Sequence, residues 1–211
     1  MRLYDYAASG NCYKVRLLLA LTGTAYERVP VDIFAGGTLS EEFARLNPLR
    51  ETPVLELDSG EIVTQSNAIL WLLSQGTHLA PASDVDAAHA LQWLFFEQER
   101  LMPGVGGMRF RRLTGRPIPA GRFEQGREAL ALLDRHLAGR AYVAGGRCSI
   151  ADLSLFAYTH VAGEGGFELS EFPAVAGWLD RVAHEPGYMN DLAPYPPSAA
   201  AGAGRSIYDA A

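Results

Sequence analysis

Apolar and polar positions change rhythm several times along the first third of the chain, and each change marks an element. Residues 2–6, Arg-Leu-Tyr-Asp-Tyr, read as a strand, and Ala7-Ala8-Ser9-Gly10 as a turn into a helix over 11–21. Gly23 follows that helix, where a glycine takes the left-handed conformation without steric cost. Residues 26–31 are rich in β-formers and predict a second strand, ended by polar Asp32. A short helix over 40–46 comes after the Gly36-Gly37 loop, and 53–57 predict a third strand. Asp58-Ser59-Gly60 supplies a tight hairpin turn into a fourth strand over 61–63. The helix over 66–74 then carries Ile69, Leu72 and Leu73 on one face, which completes the order βαβαββα.

From about residue 84 the strand signals stop. Helical periodicity runs over 87–101, 123–137, 150–161 and 174–183, with Pro103-Gly104 and Gly106-Gly107 interrupting the first of these before it resumes at Met108. The reading is therefore two units: a mixed α/β domain over 1–76, and an all-helical domain over 84–211 after a short linker. Beyond Pro194 the chain is rich in Pro, Ala and Gly and is expected to lie over the surface or to lack order.

Composition narrows the function. The net charge is −6 and the only basic cluster is the short one from Arg109 to Arg112, so nucleic acid is not an expected partner. No apolar run approaches the roughly 18 residues of a membrane span. The N-terminus has no apolar signal core and carries an early acid, Asp5, so a cytoplasmic location is expected. Cys12 and Cys148 fall in different units and make no disulfide framework. The five histidines show no metal-ligand spacing, and no metal is expected.

Three segments carry chemistry, and in their order and spacing they resemble the cytosolic glutathione S-transferase superfamily over nearly the whole chain. Ser9-Gly10-Asn11-Cys12-Tyr13-Lys14-Val15 is similar to the S-x-x-C-x-x-V turn of its serine-type classes. Residues 47–55 are similar to its N-P-x-x-x-x-P-V-L segment, and Gln65-Ser66-Asn67-Ala68-Ile69 to its E/Q-S-x-A-I segment. The resemblance implies a thioredoxin-like first domain, an all-helical second domain, and a homodimer. It also implies a bound co-substrate, glutathione, held as a thiolate and added to a small apolar electrophile. Ser9-Gly10-Asn11 also resembles the turn of the Nu class, which implies the alternative of a glutathione-dependent disulfide-bond reductase. A non-catalytic binder of glutathione or apolar ligands is a further reading, because one fold hosts all of these.

Each expected site residue has a physical reason. A strand-initiating Pro53 is cis in thioredoxin-like folds, which turns the backbone N–H and C=O of Thr52 toward a peptide-like ligand. Gln65 and Ser66 open a helix whose N-terminal N–H groups suit the γ-glutamyl carboxylate. A thiol of pKa near 8.5 is mostly protonated at neutral pH, so a donor aimed at the sulfur lowers that value. Ser9 and Asn11 are the two candidate donors, with Ser9 preferred. Cys12 is expected to pack rather than react. Glu51 stands where relatives carry glutamine or lysine, which leaves Arg50 or the 36–40 loop to receive the glycyl carboxylate. Met108, Arg109 and Arg112 are candidate walls of the electrophile site. Ser149-Ile150-Ala151-Asp152 predicts a capping box, a structural device.

Overall fold

A computed structural model describes residues 1–209, so the last two residues of the helical unit expected over 84–211 lie outside the described residues. Four strands, β1 (Arg2–Asp5), β2 (Glu27–Pro30), β3 (Val54–Glu56) and β4 (Ile62–Thr64), form one sheet in the order β2-β1-β3-β4. β1 and β2 are parallel, and the crossover that parallel neighbours need is α1 (Gly10–Leu21). The other two pairs are antiparallel, β3 and β4 being joined through the turn at Gly60. With α2 (Glu41–Leu46) and α3 (Ser66–Ser74) the unit has the order the sequence pattern predicts.

The second unit is helical: α4 (Asp84–Phe96), α5 (Gly107–Thr114), α6 (Arg122–Leu137), α7 (Ile150–Thr159) and α8 (Pro173–Ala183). All ten residues of α7 are buried, and one apolar core, from Leu3 and Leu55 to Leu155 and Trp178, runs through both units. Its N-terminus is the expected capping box, Ser149 with Asp152. Asp152 Oδ1 also accepts from Trp178 Nε1 at 2.9 Å and from the Val143 N–H at 3.0 Å, so the box fastens α8 and the preceding loop as well. Among the described residues no helix is long and apolar enough to cross a membrane.

One expectation is corrected. The chain does not break at Pro103-Gly104; α4 passes through a π-helical stretch, Glu97–Gly106, directly into α5. The wider turn accommodates a proline whose ring and missing N–H would break an α-helical repeat. The glycines are there for close approach. A Cβ on Gly104 would lie 2.6 Å from Cα of Gly126 in α6, so the two helices touch backbone to backbone.

The tail beyond Pro194 lies over the surface and is fastened at both ends of its path. The Ala201 N–H donates to Thr114 O at 2.9 Å and the Arg205 N–H to Phe34 O at 2.7 Å. The guanidinium of Arg116, itself buried, donates to Ala199 O at 2.5 Å and to Asp209 at 2.6 Å. The tail is thus a strap from the helical unit to the loop after β2.

Candidate functional site

A cleft of about 360 Å³ opens between the two units, and the sequence segments singled out above converge on it. Its floor is the turn after β1. There Ser9 caps α1, its Oγ accepting from the Cys12 N–H at 3.3 Å. That bond occupies an acceptor position and leaves the hydroxyl proton free to donate. Asn11, half-buried, stands beside it on the same wall. Cys12 does not line the cleft. Its sulfur is fully buried and accepts from the Tyr6 N–H at 3.4 Å, and burial pushes the thiol up to about 11. A thiol in that state is not a nucleophile at neutral pH.

Opposite the turn, the Thr52–Pro53 peptide is cis, and neither the N–H nor the C=O of Thr52 has a partner among the described residues. Gln65 has φ of 69°, a left-handed conformation that residues with a Cβ rarely adopt, and its side chain makes no capping bond to α3. The first N–H groups of α3 therefore open beside the cleft without an internal cap. Ser66 is 4% exposed, and its hydroxyl is turned inward rather than toward the cleft. Oγ accepts from Lys14 Nζ and donates to Asn11 Oδ1, both at 3.3 Å.

Arg50, with φ of 56°, lines the cleft, but its Nη1 donates to Thr38 O at 3.3 Å, to Ser40 O at 3.1 Å and to Leu39 O, and Nη2 to Glu41 at 2.9 Å. It closes the 36–40 loop. Glu51 also lines the cleft, and its carboxylate has no partner among the described residues; partial burial raises its pKa.

The three residues expected to wall an electrophile site lie off the cleft, and neighbours from the same segment line it. Met108 is 3% exposed and belongs to the core. Arg109 is buried, donating from Nε to Glu164 at 2.6 Å and from Nη1 to Ala8 O at 3.1 Å. Arg112 packs against Gly166. None of the three lines the cleft; Met102, Gly106, Gly107 and Phe110 do.

Sequence reasoning missed Tyr158 and named no individual residue of the strap. Tyr158, from α7, lines the cleft between Gly10 and Gly106, where an added Cβ would come within 2.5 Å and 2.6 Å of its ring. The paired glycines were the only available signal. Tyr195, Ile207 and Tyr208 close the far side, and Phe110 and Tyr208 pack with ring centroids 5.1 Å apart. No periodicity marks residues on an irregular strap.

A helical unit on a βαβαββα sheet, with a cis-proline loop and an uncapped helix facing one cleft, is the architecture that the sequence resemblance implies. The Glutathione S-transferase, N-terminal domain family matches residues 1–74, and the Glutathione S-transferase, C-terminal domain family residues 112–186. Glutathione S-transferase 3 of Zea mays is 30% identical, covering 95% of this chain and 99% of its own. The disulfide-bond oxidoreductase YfcG of Escherichia coli (strain K12) is 28% identical over 86% of this chain and 89% of its own. The crystal structure of a glutathione S-transferase from Pseudomonas fluorescens Pf-5 superposes with a TM-score of 0.85 at 40% identity, covering 91% of this chain and 98% of that one. The chain belongs to the glutathione S-transferase family.

Proposed function

We propose that the protein conjugates glutathione to small apolar electrophiles. The observation that carries this reading is the convergence of Ser9, Asn11, Thr52 and Gln65 on one cleft with an aromatic far side. In this reading the unpartnered backbone of Thr52 pairs with the cysteinyl residue, as one more extended segment beside β3. The N-terminus of α3, with Gln65 and the Ser66 N–H, receives the γ-glutamyl carboxylate, and Arg50 stands nearest the glycyl end. The Ser9 hydroxyl and the Asn11 amide donate to sulfur, which lowers the thiol pKa selectively through its charged form. The thiol proton leaves to solvent. The thiolate then forms a carbon–sulfur bond with the electrophile while the leaving group departs with its bonding electrons.

A second reading is disulfide-bond reduction with glutathione as reductant. It is favoured by the half-buried Asn11 on the cleft wall and by the likeness to YfcG. The comparison that separates them is turnover of an aryl halide against a glutathione-linked disulfide. A rate with the aryl halide above that with the disulfide supports conjugation; the reverse supports reduction. No binding of glutathione at several millimolar removes both.

A cytoplasmic homodimer completes the proposal. Phe95 is 70% exposed at the lip of a groove between α4 and α6 that also holds Leu132 and the edge of Trp93, and a second copy would cover that apolar face.

A further inference from the structure

Behind the cleft lies a charged cluster that the reaction as described does not use. Lys14 and Glu97 are both fully buried, and Nζ lies 2.8 Å from Glu97 Oε2. Lys14 comes from α1 of the first unit, and Glu97 from the point where α4 widens into the π-helical stretch. Oε2 also accepts from Asn67 Nδ2 at 3.1 Å, Gln98 Nε2 at 2.9 Å and Ser154 Oγ at 3.3 Å, whereas Oε1 has no partner among the described residues. The remaining side of the ammonium faces the ring of Tyr158, 5.5 Å from its centroid. An ion pair so placed contributes little to stability as such, because two desolvated charges offset most of their attraction.

The polarity of the hydrogen bonds indicates another role. An ammonium is donor only, so the bond from Lys14 Nζ to Ser66 Oγ has one possible direction. With its oxygen receiving that proton, the Ser66 hydroxyl is free to donate onward, to Asn11 Oδ1. The acceptor end of the Asn11 amide is then held inward, and its NH₂ end is left for the cleft that Asn11 lines. Without a fixed donor at the head of this chain, the hydroxyl and the amide could reverse together, presenting a carbonyl oxygen to a thiolate.

We infer that Lys14 is a positioning residue: through Ser66 it holds the Asn11 amide with its donor toward the sulfur, and Glu97 keeps Lys14 charged and in place. The same pair anchors the start of α3 from behind, since Ser66 is bound by Lys14 and Asn67 by Glu97. The inference rests on the reading that glutathione occupies the cleft as a thiolate.

The test is the ultraviolet titration of bound glutathione, which reports thiolate without a second substrate. Lys14→Met alone leaves Glu97 buried and unpaired, so the informative variant is Lys14→Met with Glu97→Gln, which removes both charges and keeps an amide for Asn67, Gln98 and Ser154. The expected result is a thermal midpoint near that of the wild type and a bound thiol that titrates higher, with about tenfold less thiolate at neutral pH. Should that pair not fold, Lys14→Gln with Glu97→Gln serves: glutamine fills the site but can accept as well as donate. In an Asn11→Ala background either pair should change the titration no further, because its route to the sulfur is gone. A stable double variant whose thiol titrates as in the wild type, or a full-sized shift persisting in Asn11→Ala, overturns the inference while leaving the glutathione reading intact. A wild type that shows no thiolate absorbance with glutathione overturns both.

Discussion

The ring of Tyr158 occupies the space in which a side chain at Gly10 would begin: a Cβ there would lie 2.5 Å from Cε1. This contact sets how closely the turn after β1 approaches the helical unit. Gly10→Ala must displace either the ring or the turn, and overpacking of this kind costs about 1–3 kcal/mol. The expected outcome is a lower thermal midpoint with weaker glutathione binding, and partial recovery of both in Gly10→Ala with Tyr158→Leu. Equal calorimetric affinities for Gly10→Ala and the wild type would show that the turn tolerates the shift.

Replacing Ser9 by Ala should raise the pKa of bound glutathione and lower kcat at pH 7, with the glutathione Kd little changed. One hydrogen bond to a charged group contributes about 1.5–3 kcal/mol, so the rate should fall about ten- to a hundredfold. Cys12→Ala should leave turnover within a few-fold, since its sulfur is fully buried and does not line the cleft. A large loss in Asn11→Ala with a mild one in Ser9→Ala moves the assignment to Asn11 and favours the reductase reading. Steady-state rates for the three variants decide it.

The Glu51 carboxylate has no partner among the described residues, its backbone carbonyl accepting from Asn47 Nδ2 at 2.8 Å, and the residue stands near the expected glycyl end of the ligand. Glu51→Gln should therefore tighten glutathione binding, about three- to tenfold, or roughly 0.7–1.4 kcal/mol. The gain should be smaller for the glutathione monoester that lacks the glycyl charge. Isothermal titration with both ligands separates the charge effect from a change of shape.

Acid should weaken the fold through His160. Its Nδ1–H donates to Phe156 O at 2.8 Å, Nε2 is buried without a hydrogen-bond partner among the described residues, and the ring stacks on Phe156 at 4.8 Å. Burial lowers its pKa below the usual value, so between the unfolded and folded values the unfolded chain binds more protons. The contribution of neutral His160 is thus present above about pH 6.5 and is lost as pH falls toward the lower folded value. Chemical denaturation at pH 7.5 and pH 5.5 should show a larger drop for the wild type than for His160→Phe. Parallel drops would assign the acid sensitivity elsewhere.

The strap should govern the electrophile more than glutathione. Tyr208 is 46% exposed, so Tyr208→Ala should cost little stability. KM for an aryl electrophile should change severalfold, with KM for glutathione nearly constant. A matched rise in both would mean that the strap acts through the whole cleft.

The first unit was legible because its signals are local. The turn at Asp58-Ser59-Gly60 and the helix over 66–74, like the capping box at Ser149 and Asp152 in the second unit, each depend on residues within a few positions of one another. The cleft segments were legible through their resemblance to a family. What stayed hidden depends on contacts distant in sequence. That the Ser66 hydroxyl turns inward follows from Lys14, 52 positions earlier. In the segment after the π-helical stretch, Met108 lies in the core and Phe110 lines the cleft, which no local composition announces. Arg109 and Arg112 read as a basic surface, yet Arg109 is consumed by Glu164 and Ala8 O, partners supplied by other elements.

The way the strap is held separates its path from its chemistry. Main-chain bonds at residues 201 and 205, together with Arg116 beneath residue 199, fix where it runs, and none of them involves the side chains of Ile207 or Tyr208. Those two positions can therefore be exchanged with little disturbance to what supports them. That makes them a natural pair for a small combinatorial library, in which new electrophile preferences are selected on an otherwise unaltered scaffold.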